Sequence, residues 1–168
     1  METQMDLKQL GRFMDKTFDG RLNEEKVKTL RDKWAGNLVV KGVVNPRDME
    51  KLLQIGVDGV IVSNHGGRQL DAGASSFKSL QNLTAEFGAK TTIMMDGGIQ
   101  SGPDIARCLS AGAKYVFLGR AFMYGVAALG KNGGEHTCLL LKKQLKQVME
   151  QLGCESIDAL PQCLLTKQ

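Results

Sequence analysis

Short apolar runs alternate along the chain with longer stretches of helical character. Four runs have the length of strands: residues 38–41 (LVVK), 59–62 (GVIV), 92–95 (TIMM) and 115–118 (YVFL). They are apolar throughout instead of alternating with polar residues, which predicts parallel strands buried on both faces. A unit repeats every 20 to 30 residues or so, the spacing of βα repeats. The pattern therefore predicts an α/β fold with right-handed crossovers.

Start and stop residues delimit the predicted helices. Asn45 caps a helix that begins at Pro46 and ends at Gly56. Two further helices are predicted over residues 76–87 and 103–112, each ending near a glycine. These helices lie between the predicted strands, as the crossovers of parallel strands require.

The chain divides into two predicted parts. Residues 1–36 contain helical sequence only, at 6–18 and 23–34, and form a predicted N-terminal helical segment. Residues 37–168 carry the four strands, which amount to half of a (β/α)8 TIM barrel. A flat sheet of the flavodoxin sort has the same pattern. The polar and glycine-rich residues all follow the carboxyl ends of strands, and this favours the barrel.

Composition and charge exclude several classes of protein. The chain has 168 residues, of which 42% are hydrophobic and 24% charged, as in a globular domain. Its net charge of +4 is scattered, and no aromatic residues interleave with the basic ones, so we expect no nucleic-acid binding. We find no apolar run long enough to cross a bilayer and no secretory signal, and therefore expect a cytoplasmic protein.

The cysteines and histidines do not predict a metal site. Cys108, Cys138, Cys154 and Cys163 form no C-x-x-C motif, and two histidines are too few to complete a zinc site. In the cytoplasm we expect the four thiols to be reduced packing residues.

Two glycine-rich loops are candidates for binding a phosphate. Residues 96–102 (DGGIQSG) follow the third strand, and Gly119 and Arg120 follow the fourth. Glycines allow backbone N–H groups to approach an anion, a helix N-terminus adds positive potential, and an arginine contacts phosphate with two donors. The alternative is that the glycines only form tight turns.

The loop after the second strand carries the candidate chemistry. His65 could accept a proton near neutral pH, and Arg68 could bind a carboxylate. The pair suits removal of a proton from a substrate acid, although an ordinary loop histidine and a surface arginine explain it equally well. Lys41 ends a predicted buried strand, where a charge needs a partner, and a ligand oxygen would supply one. His136 is interpreted as a surface residue.

Four segments in this order resemble the FMN-dependent 2-hydroxy-acid dehydrogenases and oxidases, a family that includes L-lactate dehydrogenases and glycolate oxidase. They are residues 39–42 (VVKG), 63–71 (SNHGGRQLD), 96–99 (DGGI) and 118–122 (LGRAF). Residues 122–125 (FMYG) and the long final helix are similar to the lactate dehydrogenase branch. The resemblance implies the C-terminal half of a (β/α)8 TIM barrel that uses FMN to oxidise an L-2-hydroxy acid, with L-lactate expected. It also allows peripheral membrane association of the full-length protein.

The resemblance implies a role for each site residue. His65 would be the catalytic base, Arg68 would bind the substrate carboxylate, and Lys41 would stabilise negative charge on the reduced flavin. The expected cofactor-binding residues are Lys41, Ser63, Asp96, Gly97, Gly98, Gln100, Gly119 and Arg120. Asn64 would help to position the loop or the ring.

Two departures from the family affect what we expect. Gln100 stands where the family has an arginine, which removes one cation from the phosphate site. The family's first four strands, with a substrate-binding tyrosine and the carboxylate that orients the histidine, have no counterpart. The chain would therefore need a missing N-terminal half-barrel or form a homo-oligomer. The alternatives are a non-catalytic half-barrel that binds FMN or a phosphate, and an inactive truncated remnant.

Overall fold

The four predicted strands form one parallel sheet. In a computed structural model of the chain, residues 11–13 and 22–164 are described. The strands are β1 (Val39–Lys41), β2 (Gly59–Val62), β3 (Thr92–Asp96) and β4 (Tyr115–Phe117), in the order β1-β2-β3-β4. The prediction is confirmed for β2 to the residue, and it errs by one residue at the ends of the others.

Helices follow the strands as the pattern predicted. They are α1 (Glu24–Lys33), α2 (Pro46–Ile55), α3 (Ser76–Phe87), α4 (Gly102–Ser110), α5 (Arg120–Leu129) and α6 (Gly133–Leu152). Short 3-10 turns span His65–Gly67, Gly130–Asn132 and Ile157–Cys163. The predicted helix at 6–18 lies outside the described residues except for 11–13, which are helical.

The sequence signals that delimit the helices act as predicted. The Asn45 side chain accepts a hydrogen bond from the backbone N–H of Arg47 at 2.9 Å, and Pro46 occupies the first turn of α2. Gly56 ends this helix in the left-handed conformation, with φ of 85°. At α4, Ser101 and Asp104 form a reciprocal capping box.

The core lies between the sheet and the helices. Val60 and Val62 of β2 and Ile93 and Met95 of β3 are buried, and they belong to one cluster with side chains of α3 (Leu80, Leu83 and Phe87). Burial of each such side chain stabilises the fold by about 1.5–3 kcal/mol. The two central strands therefore hold the loops that follow them at fixed positions.

The edge strands correct one expectation. Val39 of β1 is 44% exposed and Tyr115 of β4 is 64% exposed, so these strands are not buried on both faces. Among the described residues, each has a neighbouring strand on one side only. The Lys41 side chain, at the end of β1, is 45% exposed, and the prediction that it ends a buried strand is wrong.

Arg31 helps to attach the N-terminal helix to the rest of the fold, together with Val27, which is buried in the core, and Glu24, which pairs with Lys51. The Arg31 guanidinium of α1 contacts the Asp58 carboxylate at 2.8 Å and the Trp34 carbonyl. Asp58 also accepts the backbone N–H of Leu38 at 2.7 Å, just before β1. Among the described helices, none combines the length and hydropathy needed to cross a membrane.

Candidate functional site

A cavity of about 280 Å³ lies where the carboxyl ends of the four strands meet. It is lined by Lys41, His65, Gly66, Arg68, Asp96, Gly97, Gly98, Ile99, Gln100, Phe117, Leu118, Gly119, Arg120 and Met123. The structure thus brings together on one cavity every predicted site residue except Ser63, which contacts Lys41, and Asn64, which lines a second cavity. This second cavity, of about 430 Å³, shares several of these residues.

Lys41 and Asp96 form an ion pair at this end of the sheet. Lys41 Nζ lies 2.8 Å from Asp96 Oδ2 and donates to Ser63 Oγ at 2.9 Å. Asp96 Oδ1 is shielded from solvent and has no hydrogen-bond partner in the described part of the chain. Lys41 thus has two protein partners, whereas the sequence predicted a ligand oxygen as its partner. The group left without a partner is a carboxylate oxygen, which can accept from a ligand hydroxyl.

His65 lies on a strained turn directly after β2. Buried Ser63 accepts the His65 backbone N–H at 3.1 Å, and His65 has φ of 55°. This left-handed conformation is uncommon for a residue other than glycine and is concentrated at functional sites. The His65 side chain is exposed toward the cavity, and within residues 22–164 no carboxylate forms an ion pair with it.

Asn64 and Ser76 fix the shape of this loop. The Asn64 side chain accepts from Gly66 N at 3.1 Å and donates to the Ala74 carbonyl, and its backbone N–H donates to Ser76 Oγ at 3.0 Å. Sequence reasoning missed Ser76. The signal was the pair of serines at the start of α3: Ser75 caps the helix, and buried Ser76 is free to contact the loop.

Gly97 and Gly98 differ in what surrounds them. Both have positive φ, but a Cβ on Gly97 would lie 3.0 Å from Asn64 Oδ1 and from Ser76 Oγ, whereas a Cβ on Gly98 would have no atom within 4 Å. Gly97 therefore allows two loops to pack together. Gly98 leaves its backbone accessible from the cavity.

One positive group of the cavity, in addition to Lys41 and Arg68, comes from the loop after β4. Arg120 lies in the first turn of α5 and donates to the Gly66 carbonyl at 3.4 Å, with no ion pair to a described acidic residue. No side chain of the described residues caps α5, so its first N–H groups are available to an anion. Gly119 leaves open space in front of them.

The N-terminus of α4 is already occupied by a carboxylate. Asp104 accepts from Gln100 N at 3.2 Å and from Ser101 Oγ at 2.7 Å. Partial burial opposes ionisation, but the hydrogen bonds from Ser101 and Gln100 prevail and hold the pKa of Asp104 below its usual value. A phosphate in the cavity would therefore depend on α5 and Arg120 more than on α4.

The sequence model of one family, FMN-dependent dehydrogenase, matches residues 1–167. The chain belongs to the FMN-dependent dehydrogenase family. Its cofactor is FMN, as the sequence resemblance predicted.

Curated relatives within the family are considerably longer than this chain. It is 39% identical to an L-lactate dehydrogenase of Caulobacter sp. (strain K31) over 155 residues, 92% of this chain and 41% of that protein. It is also 39% identical to the (S)-mandelate dehydrogenase of Pseudomonas putida over 148 residues, 88% of this chain and 37% of that protein. The chain thus spans about two fifths of the length of these relatives.

Solved structures of the family share the fold. The monotopic membrane protein (S)-mandelate dehydrogenase superposes with a TM-score of 0.87 at 36% identity, covering 99% of this chain and 44% of that one. A mandelate oxidase variant with the monooxide FMN adduct gives 0.79 at 33% identity, covering 83% and 44%. These relatives are (β/α)8 barrel enzymes, so the four strands are a partial barrel and the predicted fold class is confirmed.

Proposed function

We propose that residues 37–168 form the C-terminal half of a barrel enzyme that oxidises an L-2-hydroxy acid, with L-lactate expected, to the 2-oxo acid. The observation that carries the proposal is the convergence of Lys41, His65, Arg68, Asp96 and Arg120 on one cavity. A base, a carboxylate-binding cation and a phosphate-binding cation are the groups this reaction requires.

The residues of the cavity fit FMN. Arg120, the first turn of α5 and the open backbone at Gly98 suit a phosphate. The unpartnered Asp96 Oδ1 suits a ribityl hydroxyl. Lys41 forms an ion pair with the Asp96 carboxylate and would stabilise negative charge on the reduced ring.

The remaining two residues would act on the substrate. FMN, when bound, supplies the acceptor for the two electrons that leave the α-carbon. Arg68 would hold the substrate carboxylate through paired hydrogen bonds, and this fixes which face of the α-carbon meets His65. His65 would accept the proton and become an imidazolium, which in the described residues has no carboxylate to stabilise it.

The barrel is completed by a partner. We propose that an N-terminal half-barrel, in the same polypeptide or in another, supplies the carboxylate for His65 and closes the sheet against β1 and β4. A second copy of the chain is the alternative, because no strand of residues 22–164 covers either edge of the sheet. We further propose a cytoplasmic location with peripheral membrane association, an association supported by one solved relative that is a monotopic membrane protein.

Reconstitution tests the function directly. The chain is mixed with FMN and the N-terminal half of the Caulobacter L-lactate dehydrogenase, and reduction of a dye by L-lactate or (S)-mandelate is followed. We expect L-lactate to support turnover. The variant His65→Gln should lower kcat by at least about 100-fold, because general base catalysis contributes 10²–10⁴-fold.

The second histidine provides a matched control. His136 is exposed on α6 and does not line the cavity, so His136→Gln should leave the rate unchanged. Equal rates for the two variants would contradict the role of His65. Tight FMN binding without turnover of either acid would favour the non-catalytic flavin-binding half-barrel. Absence of both would favour the inactive remnant.

A further inference from the structure

Two cysteines that are nine positions apart in sequence lie in contact. Cys154 Sγ and Cys163 Sγ are 3.2 Å apart, joined by a weak thiol hydrogen bond. Cys154 follows Gly153, which ends α6 in the left-handed conformation, and Cys163 ends the 3-10 turn Ile157–Cys163. The chain reverses direction between them, and this reversal brings the two thiols together. Both thiols are free and pack in or against the core, in agreement with the prediction of reduced packing residues, but the sequence did not predict the contact between them.

The other two cysteines have no such arrangement. Cys108 is buried, and burial raises the pKa of its thiol to about 11, so it is a poor nucleophile. Cys138 is exposed on α6, and no thiol contact to it is recorded among the described residues. The chain thus provides a buried thiol and an accessible single thiol for comparison with the pair.

We propose that Cys154 and Cys163 are an oxidisable pair, in which a low-molecular-weight disulfide converts the two thiols into an intrachain disulfide. The distance between the sulfurs must shorten by about 1.2 Å to reach bonding length, which side-chain rotation can supply. This inference concerns the C-terminal turn and does not rest on the proposed function.

The chemistry proceeds by two thiol–disulfide exchanges. Cys163 is the more accessible thiol, and its thiolate attacks one sulfur of the small disulfide, releasing one small thiol and leaving a mixed disulfide. The Cys154 thiolate then attacks the Cys163 sulfur, and the second small thiol leaves. The protein loses two electrons and two protons, and the small disulfide is reduced to two thiols. The Cys163 thiol beside it raises the pKa of Cys154, so the second exchange should quicken with pH.

The disulfide would fasten the end of the described chain to the core. Leu160 lies between the two cysteines and is fully buried, and its turn contacts both α4 and α6. In the reduced protein, the turn is held by this packing and by backbone hydrogen bonds from Ala159 N–H to the Ser156 carbonyl and from Leu164 N–H to the Pro161 carbonyl, and Ser156 adds no side-chain cap. A covalent link across ten residues restricts the unfolded chain and stabilises the folded one.

The test uses oxidised and reduced glutathione at a series of ratios, followed by alkylation, trypsin and mass spectrometry. Residues 147–167 form one tryptic peptide that contains both cysteines, and residues 132–142 form another that contains Cys138. We expect the first peptide to lose two hydrogens and to resist alkylation. Its oxidation should be half complete at a glutathione ratio at least about tenfold more reducing than that which modifies Cys138.

Thermal unfolding tests the fastening. The oxidised protein should melt roughly 5–10 °C above the reduced one. The Cys138→Ser variant should show the same rise in Tm on oxidation. The variants Cys163→Ser and Cys154→Ser should show no such rise. The proposal would be overturned if Cys138 were oxidised while Cys154 and Cys163 remained reduced and open to alkylation. A stable glutathione adduct on Cys163 would overturn it as well. A disulfide that leaves Tm unchanged would contradict the claim that the link stabilises the C-terminal turn.

Discussion

Gln100 is the residue at which the sequence resemblance predicts the loss of a positive charge. It lines the cavity beside Gly98, and its backbone is held by Asp104. We expect Gln100→Arg to tighten FMN binding to the reconstituted barrel about fivefold, because a charge-assisted hydrogen bond exceeds a neutral one by about 1 kcal/mol. Flavin fluorescence quenching measures the Kd. Gln81→Arg, exposed on α3 and outside the cavity lining, adds the same charge and should change nothing. Equal effects of the two variants would mean that net charge alone attracts the flavin.

Lys41 and the cysteine pair show where single residues escape prediction. The loops after the strands were predictable, because glycines and polar residues following apolar runs indicate the carboxyl edge of a parallel sheet. The environment of Lys41 was not, because its exposure and its contact with Asp96 depend on which strand lies at the edge. Cys154 and Cys163 are brought together by a reversal of the chain that no periodic pattern signals.

The two C-terminal helices pack through glycines. A Cβ on Gly125 of α5 would overlap Thr137 Oγ1 and the Gly133 carbonyl of α6. Thr137 is buried and donates to the same carbonyl at 2.8 Å, so it has little room to move. Gly125→Ala should therefore destabilise the chain by about 1–3 kcal/mol, as overpacking does.

Gly134 on α6 is the matched control for this contact. A Cβ on Gly134 would have no atom within 4 Å, and the residue is helical, so Gly134→Ala should be neutral or stabilising by up to about 1 kcal/mol. Thermal unfolding compares the two variants. Equal Tm values would show that α5 and α6 separate easily, and that the helices do not depend on this close approach.

At the scale of elements, the sequence predicted features that lie within one helix or strand and missed those that depend on which elements are neighbours. The bounds of β2, and the capping of α2 by Asn45, follow from residues within one element and were predicted correctly. The exposure of β1 and β4 depends on their position at the two edges of the described sheet. Apolar composition looks the same at the edge and in the centre of a sheet, so the pattern predicted burial for all four strands.

Taken as a whole, the described part of the molecule presents two unpaired parallel edges, one at β1 and one at β4. Exposed Val39 and Tyr115 lie on these edges, and such edges pair readily with other strands.

We expect the isolated chain to self-associate and to form a one-to-one complex when a family N-terminal half is added, as light scattering during size exclusion would measure. Val39→Lys and Tyr115→Lys should weaken self-association, since an edge lysine opposes strand pairing. Leu139→Lys, on the exposed face of α6, should not. Two outcomes would contradict the sheet edges as the interface: a chain that stays monomeric at all concentrations, or one that associates through Leu139. Either outcome would also rule out a second copy of the chain as the partner that completes the barrel.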